Sequence, residues 1–150
     1  MLKKGDKAPS FVLRNQDDIE LGLRDLHTKI IVLYFYPKDN TSDCTLEAEE
    51  FTALLGEFEK KNAVVIGVSP DSTKSHKKFI ESKNLAHILL SDEQKEVALA
   101  YGVYGKKMMY GKEVMGIIRS TFVIKDGVIV EVFYNVRAKG HAQKVLDSLA

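Results

Sequence analysis

Ile30-Ile31-Val32-Leu33-Tyr34-Phe35-Tyr36-Pro37-Lys38-Asp39-Asn40-Thr41-Ser42-Asp43-Cys44 is the stretch from which the fold is read. Its first half is unbroken, β-branched and aromatic, and Pro37 ends it. That pattern predicts a strand buried on both faces, in a sheet covered by helices. After it, Phe51, Leu54, Leu55 and Phe58 recur at the spacing of an amphipathic helix, and Cys44 lies on the same stripe one heptad earlier. Thr41 or Ser42 suits the N-cap, and Glu47, Glu49 and Glu50 suit the positive end of the helix dipole. Cys44 is thus expected in the first helical turn, on the side facing the core.

Outward from this unit, Ala63-Val64-Val65-Ile66-Gly67-Val68 reads as a second strand, and Asp71 or Ser72 could cap a helix over residues 73–82. The pair makes a βαβ unit. A short apolar segment follows at residues 87–90, then a helix over 92–100 and a glycine-punctuated stretch over 102–116. Residues 117–124 and 128–134 flank Lys125-Asp126-Gly127, a hairpin signal because glycine supplies the positive φ such turns need. Ala142, Val145, Leu146 and Leu149 mark a closing helix. The expected fold class is α/β, a thioredoxin-like central mixed sheet flanked by helices, in one domain over residues 1–150.

Composition narrows the function classes. The 150 residues are 45% hydrophobic and 29% charged, enough for one buried core. Lys and Arg number 22 against 21 Asp and Glu, a net charge of +1, so no global field draws in nucleic acid or an anionic membrane. The N-terminus is polar, without a signal-peptide core, and no apolar run approaches the ~20 residues of a membrane span. A cytoplasmic, monomeric protein is expected. His27, His76, His87 and His141 are scattered without ligand spacing, so no metal is expected, and they read as surface or core residues. Gly105 to Lys112 fails as a phosphate loop, because the glycine spacing is wrong and Glu113 replaces the magnesium-binding hydroxyl. Met108, Met109 and Met115 with Tyr104 and Tyr110 read as packing residues of a long loop, with a substrate-facing or partner-docking edge as the alternative.

Cys44 is the one cysteine. A thiol becomes a nucleophile as the thiolate, which a helix N-terminus and a nearby cation both favour. Arg119 interrupts an apolar strand pattern and is the candidate cation, since an arginine in a core demands a partner. Thr41 and Glu47, three residues either side of Cys44, share its side of the helix. Thr41 could offer a hydroxyl to a substrate oxygen, and Glu47 could hold Arg119. Asp43 is expected to face solvent.

Pro37, Thr41 and Cys44 also stand in the Pro-x-x-x-Thr-x-x-Cys arrangement of peroxiredoxins. Residues 35–41, Gly67-Val68-Ser69-Pro70-Asp71-Ser72 with His76-Lys77-Lys78-Phe79, Tyr101-Gly102-Val103-Tyr104-Gly105, and Met109-Tyr110-Gly111-Lys112 leading to residues 116–122 extend the match. Together they resemble the bacterioferritin comigratory protein, or peroxiredoxin Q, branch over nearly the whole chain. The resemblance implies a thiol-dependent peroxidase acting on hydrogen peroxide and organic hydroperoxides, without metal, haem or flavin. Cys44 would be the peroxidatic nucleophile, Thr41 would bind the peroxide, Pro37 would shield the sulfenate, and Arg119 would stabilise thiolate and transition state. Many members carry a resolving cysteine where this chain has Glu49, or in a following helix; here there is none. A one-cysteine cycle is therefore implied, with an external thiol reductant such as thioredoxin or glutathione with glutaredoxin. Two rivals stand beside it: a redox sensor or thiol-transfer adaptor using Cys44, and a structural module with an inert cysteine.

Overall fold

The computed structural model describes residues 2–26 and 28–149, so the reading of His27 lies outside the described residues. Strand β3 (Ile30–Phe35) alternates its side chains between two separate apolar clusters. Ile31, Leu33 and Phe35 join Ile66, Leu90 and Phe122 on one face. Val32 and Tyr34, with Tyr36 just beyond, join Phe51, Phe58 and Leu146 on the other. Both faces are covered, which is why the run carries no polar alternation.

The remaining strands are β1 (Val12–Asn15), β2 (Glu20–Gly22), β4 (Ala63–Ser69), β5 (Ile88–Ser91), β6 (Tyr104–Met109), β7 (Lys112–Ile117), β8 (Ser120–Lys125) and β9 (Val128–Phe133). A seven-stranded sheet runs in the order β2-β1-β5-β4-β3-β8-β9, with β6 and β7 paired separately. β3 pairs parallel with β4, and β4 with β5, while β8 pairs antiparallel with both β3 and β9. The helices are α1 (Ser42–Ala53), α2 (Leu55–Lys60), α3 (Thr73–Lys83), α4 (Glu96–Ala100) and α5 (His141–Ser148). α1, α2, α3 and α5 supply the cluster containing Tyr34; α4 supplies Val97 and Ala98 to the other. The expected mixed sheet flanked by helices is observed.

Several elements differ from their sequence patterns. The helix through Phe51 and Phe58 breaks at Leu54, whose φ of −97° and ψ of 4° leave the helical region, so both phenylalanines are buried from two short helices. The helix expected from residue 92 begins only at Glu96, because Lys95 takes φ +59°. The Asp92 carboxylate then accepts from the Val97 and Ala98 N–H groups, satisfying the helix start from outside it. The continuous strand expected from Ile117 is interrupted at Ile118 and Arg119. The glycine-punctuated stretch is the β6–β7 hairpin rather than a loop. Its turn has Tyr110 at φ +53° and Gly111 at +77°, matching Asp126 at +52° and Gly127 at +76° in the hairpin that the sequence does announce. Met108, Met109, Met115 and Tyr110 are exposed, Tyr110 by 98%, so they do not pack a core.

Candidate active site

The site forms where β3 ends. The Tyr36 N–H still donates to the Val68 carbonyl, extending the parallel pairing by one residue, and Pro37 then stops it for want of an N–H. Residues 37–41 turn the chain into α1, and Cys44 lies in its first turn. The antiparallel register sets Ser120 opposite Phe35. Arg119, immediately before Ser120, therefore comes abreast of the turn that carries the cysteine.

Cys44, Glu47 and Arg119 converge, the first two by their spacing on α1 and Arg119 by strand pairing. The Arg119 Nη2 lies 3.3 Å from Cys44 Sγ, and Nη1 donates to Glu47 Oε1 at 2.5 Å. One guanidinium thus bridges a thiol and a carboxylate that share one face of α1, a fork suited to two acceptors. Cys44 is 2% exposed and its neighbours are largely apolar. It nevertheless lines a cleft of about 670 Å³, together with Pro37, Thr41 and Arg119. Asp43 is exposed, as expected from its place between helix faces.

Thr41 occupies the N-cap position, with φ −88° and ψ 159°, but its hydroxyl takes no N–H from the helix. It donates instead to the Lys38 carbonyl at 2.9 Å. The expected capping role is therefore replaced by a bond that closes the turn. The first-turn N–H groups are left for other acceptors at the positive end of α1.

Glu47 is fully buried, and its Oε2 has no hydrogen-bond partner among the described residues. Burial pushes its carboxyl up to about 7, against the pull of Arg119, which acts in the opposite direction. The folded-state value lies above that of an exposed glutamate, so folding favours the protonated form. Stability contributed by this group is full below about 4.5 and is lost as pH rises toward about 7. Glu47→Gln should remove that dependence. Urea midpoints measured at pH 5 and pH 8 should fall for the native protein relative to the variant, by roughly 2–3 kcal/mol in stability. Parallel behaviour of the two proteins would contradict the assignment.

Beneath the cysteine, Tyr34 stacks on Phe51 with ring centroids 4.6 Å apart. Its hydroxyl lies 2.7 Å from His87 Nε2, while Thr52 Oγ1 lies 3.0 Å from His87 Nδ1. Gly67 makes room for this ring: a Cβ there would meet Tyr34 Cζ at 2.7 Å. Burial drives Tyr34 well above the usual phenol range and lowers His87 to about 4, so this layer is neutral.

A second polar cluster holds the preceding turn. The Asp39 carboxylate accepts from Tyr36 Oη at 2.6 Å and Ser75 Oγ at 2.8 Å, and lies 2.7 Å from His76 Nδ1. The other ring nitrogen, Nε2, lies 2.9 Å from the Leu90 carbonyl and so carries a hydrogen. The Asp39 N–H donates to Asp71. These bonds tie the Cys44 turn to the start of α3, where Ser72 accepts from the Ser75 N–H as the cap. Asp39 and His76 appear in the sequence motifs, but only the βαβ crossing brings them together. His76, His87 and His141 are all core residues. Pro70, quoted in the sequence only as part of a motif, and Lys107, whose pairing with Lys106 reads as solvated surface but which is half-buried, also line the cleft.

Comparison with known proteins places the chain in a family. The chain matches the AhpC/TSA family over residues 4–132. It is 62% identical over 149 residues to a Bcp peroxiredoxin of Helicobacter pylori strain J99, covering 99% of this chain and 98% of that protein. The crystal structure of a peroxiredoxin Q cysteine mutant from Xylella fastidiosa superimposes with a TM-score of 0.93 at 39% identity, covering 99% and 96% of the two chains. The bacterioferritin comigratory protein of Xanthomonas campestris, in a study of its alkyl peroxide reduction, gives a TM-score of 0.87 at 41% identity, covering 93% and 89%. The chain belongs to the AhpC/TSA family, in its Bcp or peroxiredoxin Q branch, and is a thiol-dependent peroxidase.

Proposed function

We propose that Cys44 is the peroxidatic nucleophile of a one-cysteine enzyme reducing hydrogen peroxide and small organic hydroperoxides. The observation that carries the reading is the Arg119 Nη2 placed 3.3 Å from Sγ at the start of a helix that opens on a cleft. The thiolate attacks the terminal peroxide oxygen, the O–O bond breaks, and the electron pair leaves on the second oxygen as alkoxide or hydroxide, which takes up a proton. Cys44 becomes a sulfenic acid. Arg119 and the free N–H groups of the first turn stabilise the charge that spreads over sulfur and both oxygens. The Thr41 hydroxyl donates its hydrogen bond to the Lys38 carbonyl, so its oxygen serves as an acceptor for the peroxide O–H and orients it for attack. Pro37 closes the cleft beside the sulfur, limiting water around the sulfenate. Glu47 holds the guanidinium from the far side.

With one cysteine in the chain, no intramolecular disulfide forms. An external thiol condenses with the sulfenic acid, releasing water, and a second thiol frees Cys44 as the disulfide of the reductant leaves. Thioredoxin, or glutathione with glutaredoxin, fits that role. The alkyl peroxide activity studied in the Xanthomonas campestris relative supports the organic substrates. Among the described residues no helix is long and apolar enough to cross a membrane, in keeping with a cytoplasmic site of action. We read the enzyme as a monomer formed by one domain over residues 1–150.

Steady-state peroxide consumption with thioredoxin and glutaredoxin systems in parallel tests this cycle, with mass spectrometry of the oxidised protein. Catalytic turnover with one of them is expected, along with a single added oxygen on Cys44 when reductant is withheld. A single stoichiometric oxidation without turnover would instead indicate a sensor.

A further inference from the structure

Lys107, on β6, reaches across its hairpin toward the cleft. Its Nζ donates to the Ile117 carbonyl at 2.8 Å, two residues before Arg119. A Cβ at Gly116 would come within 2.9 Å of Lys107 Cε, so the missing side chain is the slot in which the lysine stem lies. The carbonyl and the slot together hold the ammonium in the cleft that Cys44 and Arg119 also line. The other lysines there are placed differently. Lys38 is exposed, and Lys95 sits over the Tyr104 ring with Nζ 5.7 Å from its centroid.

Holding a half-buried ammonium near a guanidinium is costly on two counts, desolvation and like-charge repulsion. Both act on Lys107, whose pKa is lowered by burial first and by Arg119 second, while Cys44 acts in the opposite sense. The Ile117 carbonyl offsets part of this cost. The Cys44 sulfur, when ionised, acts in the same direction across the shared cleft.

We propose that Lys107 is a second cation for the Cys44 thiolate, a positioning charge that acts with Arg119 to keep the sulfur ionised. The inference rests on the peroxidatic reading of Cys44. Arg119, before β8, touches the sulfur and is held by Glu47 of α1, while Asp43 of α1, Lys38 of the turn, Lys95 before α4 and Lys107 of β6 line the same cleft. The phenols Tyr104 and Tyr110 line the cleft as well, and Tyr34 and, from α5, His141 are buried near Cys44 and Arg119. Among the described residues, Arg119 and Lys107 are the cations of the cleft anchored by hydrogen bonds to groups there.

The test is the pH profile of Cys44 reactivity, read as the rate of alkylation by iodoacetamide and as the rate of oxidation by hydrogen peroxide. Lys107→Met keeps the length of the stem and removes the charge. Its reaction should slow about threefold to tenfold on the acid limb of the profile and converge with that of the native protein at high pH. Lys107→Arg should restore the native profile. A superimposable Lys107→Met profile, an equal loss at every pH, or failure of arginine to restore it would overturn the proposal. If the native protein reacts with peroxide while Lys107→Met matches it, only this inference falls. A native protein inert to peroxide would remove the peroxidatic reading itself.

Discussion

Cys44→Ser is expected to abolish catalytic peroxide consumption, by roughly 10⁴-fold or more, while leaving the fold in place. Sulfur and oxygen differ here in two ways that geometry cannot repair. A serine hydroxyl is not ionised by a helix N-terminus and one guanidinium, whereas a thiol is brought within reach of ionisation by such neighbours. Nor can the alcohol accept an oxygen atom and be returned by a thiol, so the cycle has no first product. The substitution is nearly isosteric. Cys44 packs with apolar groups such as Phe51 and Ala48, so stability should fall by only about 1 kcal/mol. Turnover in the reductant-coupled assay, with thermal unfolding as control, reads both quantities. Peroxide consumption persisting in Cys44→Ser would place the chemistry elsewhere in the chain.

Arg119→Met should lower kcat/KM by about 10²–10³-fold, the cost of removing one aimed donor from a developing anion. It should also destabilise the protein, for a separate reason. Glu47 is buried beneath Arg119, with one oxygen already unpartnered among the described residues. Losing the guanidinium leaves a carboxylate without compensation, at about 3 kcal/mol at pH 8 and less at pH 6, where the carboxyl takes up a proton. The double variant Glu47→Gln, Arg119→Met separates the two effects, since it should recover the stability but not the activity. If the double variant regained activity as well, Arg119 would be a partner for Glu47 and nothing more.

The elements read correctly from sequence are those whose signal is local. Ile30 to Tyr36 is apolar throughout because both faces of β3 are covered, and the Asp126-Gly127 pair encodes its own turn. The elements missed or misread are those in which local signals compete or are faint. β1 and β2 span only four and three residues and are part-exposed, too short for an alternation to stand out. The β6–β7 hairpin is largely solvated, so methionines and lysines follow no core pattern. The sign it did carry was Tyr110-Gly111, with the same two positive φ values as Asp126-Gly127. The stripe through Phe51 and Phe58 hid the break at Leu54, because a helix and a kinked pair of helices can bury the same two rings.

The site divides along the same line. Cys44 and Glu47 sit three residues apart within α1, so spacing settles that they share its buried face, whereas Thr41 precedes the helix in extended backbone and is exposed. Local backbone geometry carries that information, as does the residue chemistry that makes a lone thiol at a helix start a nucleophile. Arg119 is 75 residues away in the chain, and its approach to 3.3 Å depends on the β3–β8 register. The same holds for Asp39 with His76, and for Lys107, which depends on the fold of its hairpin and the gap at Gly116. Residue types and short-range periodicity thus determine the proposed nucleophile and the helix that presents it. Which charges surround the sulfur was decided by strand pairing across the sheet, because electrostatic contacts depend on distances in space that no spacing along the chain encodes.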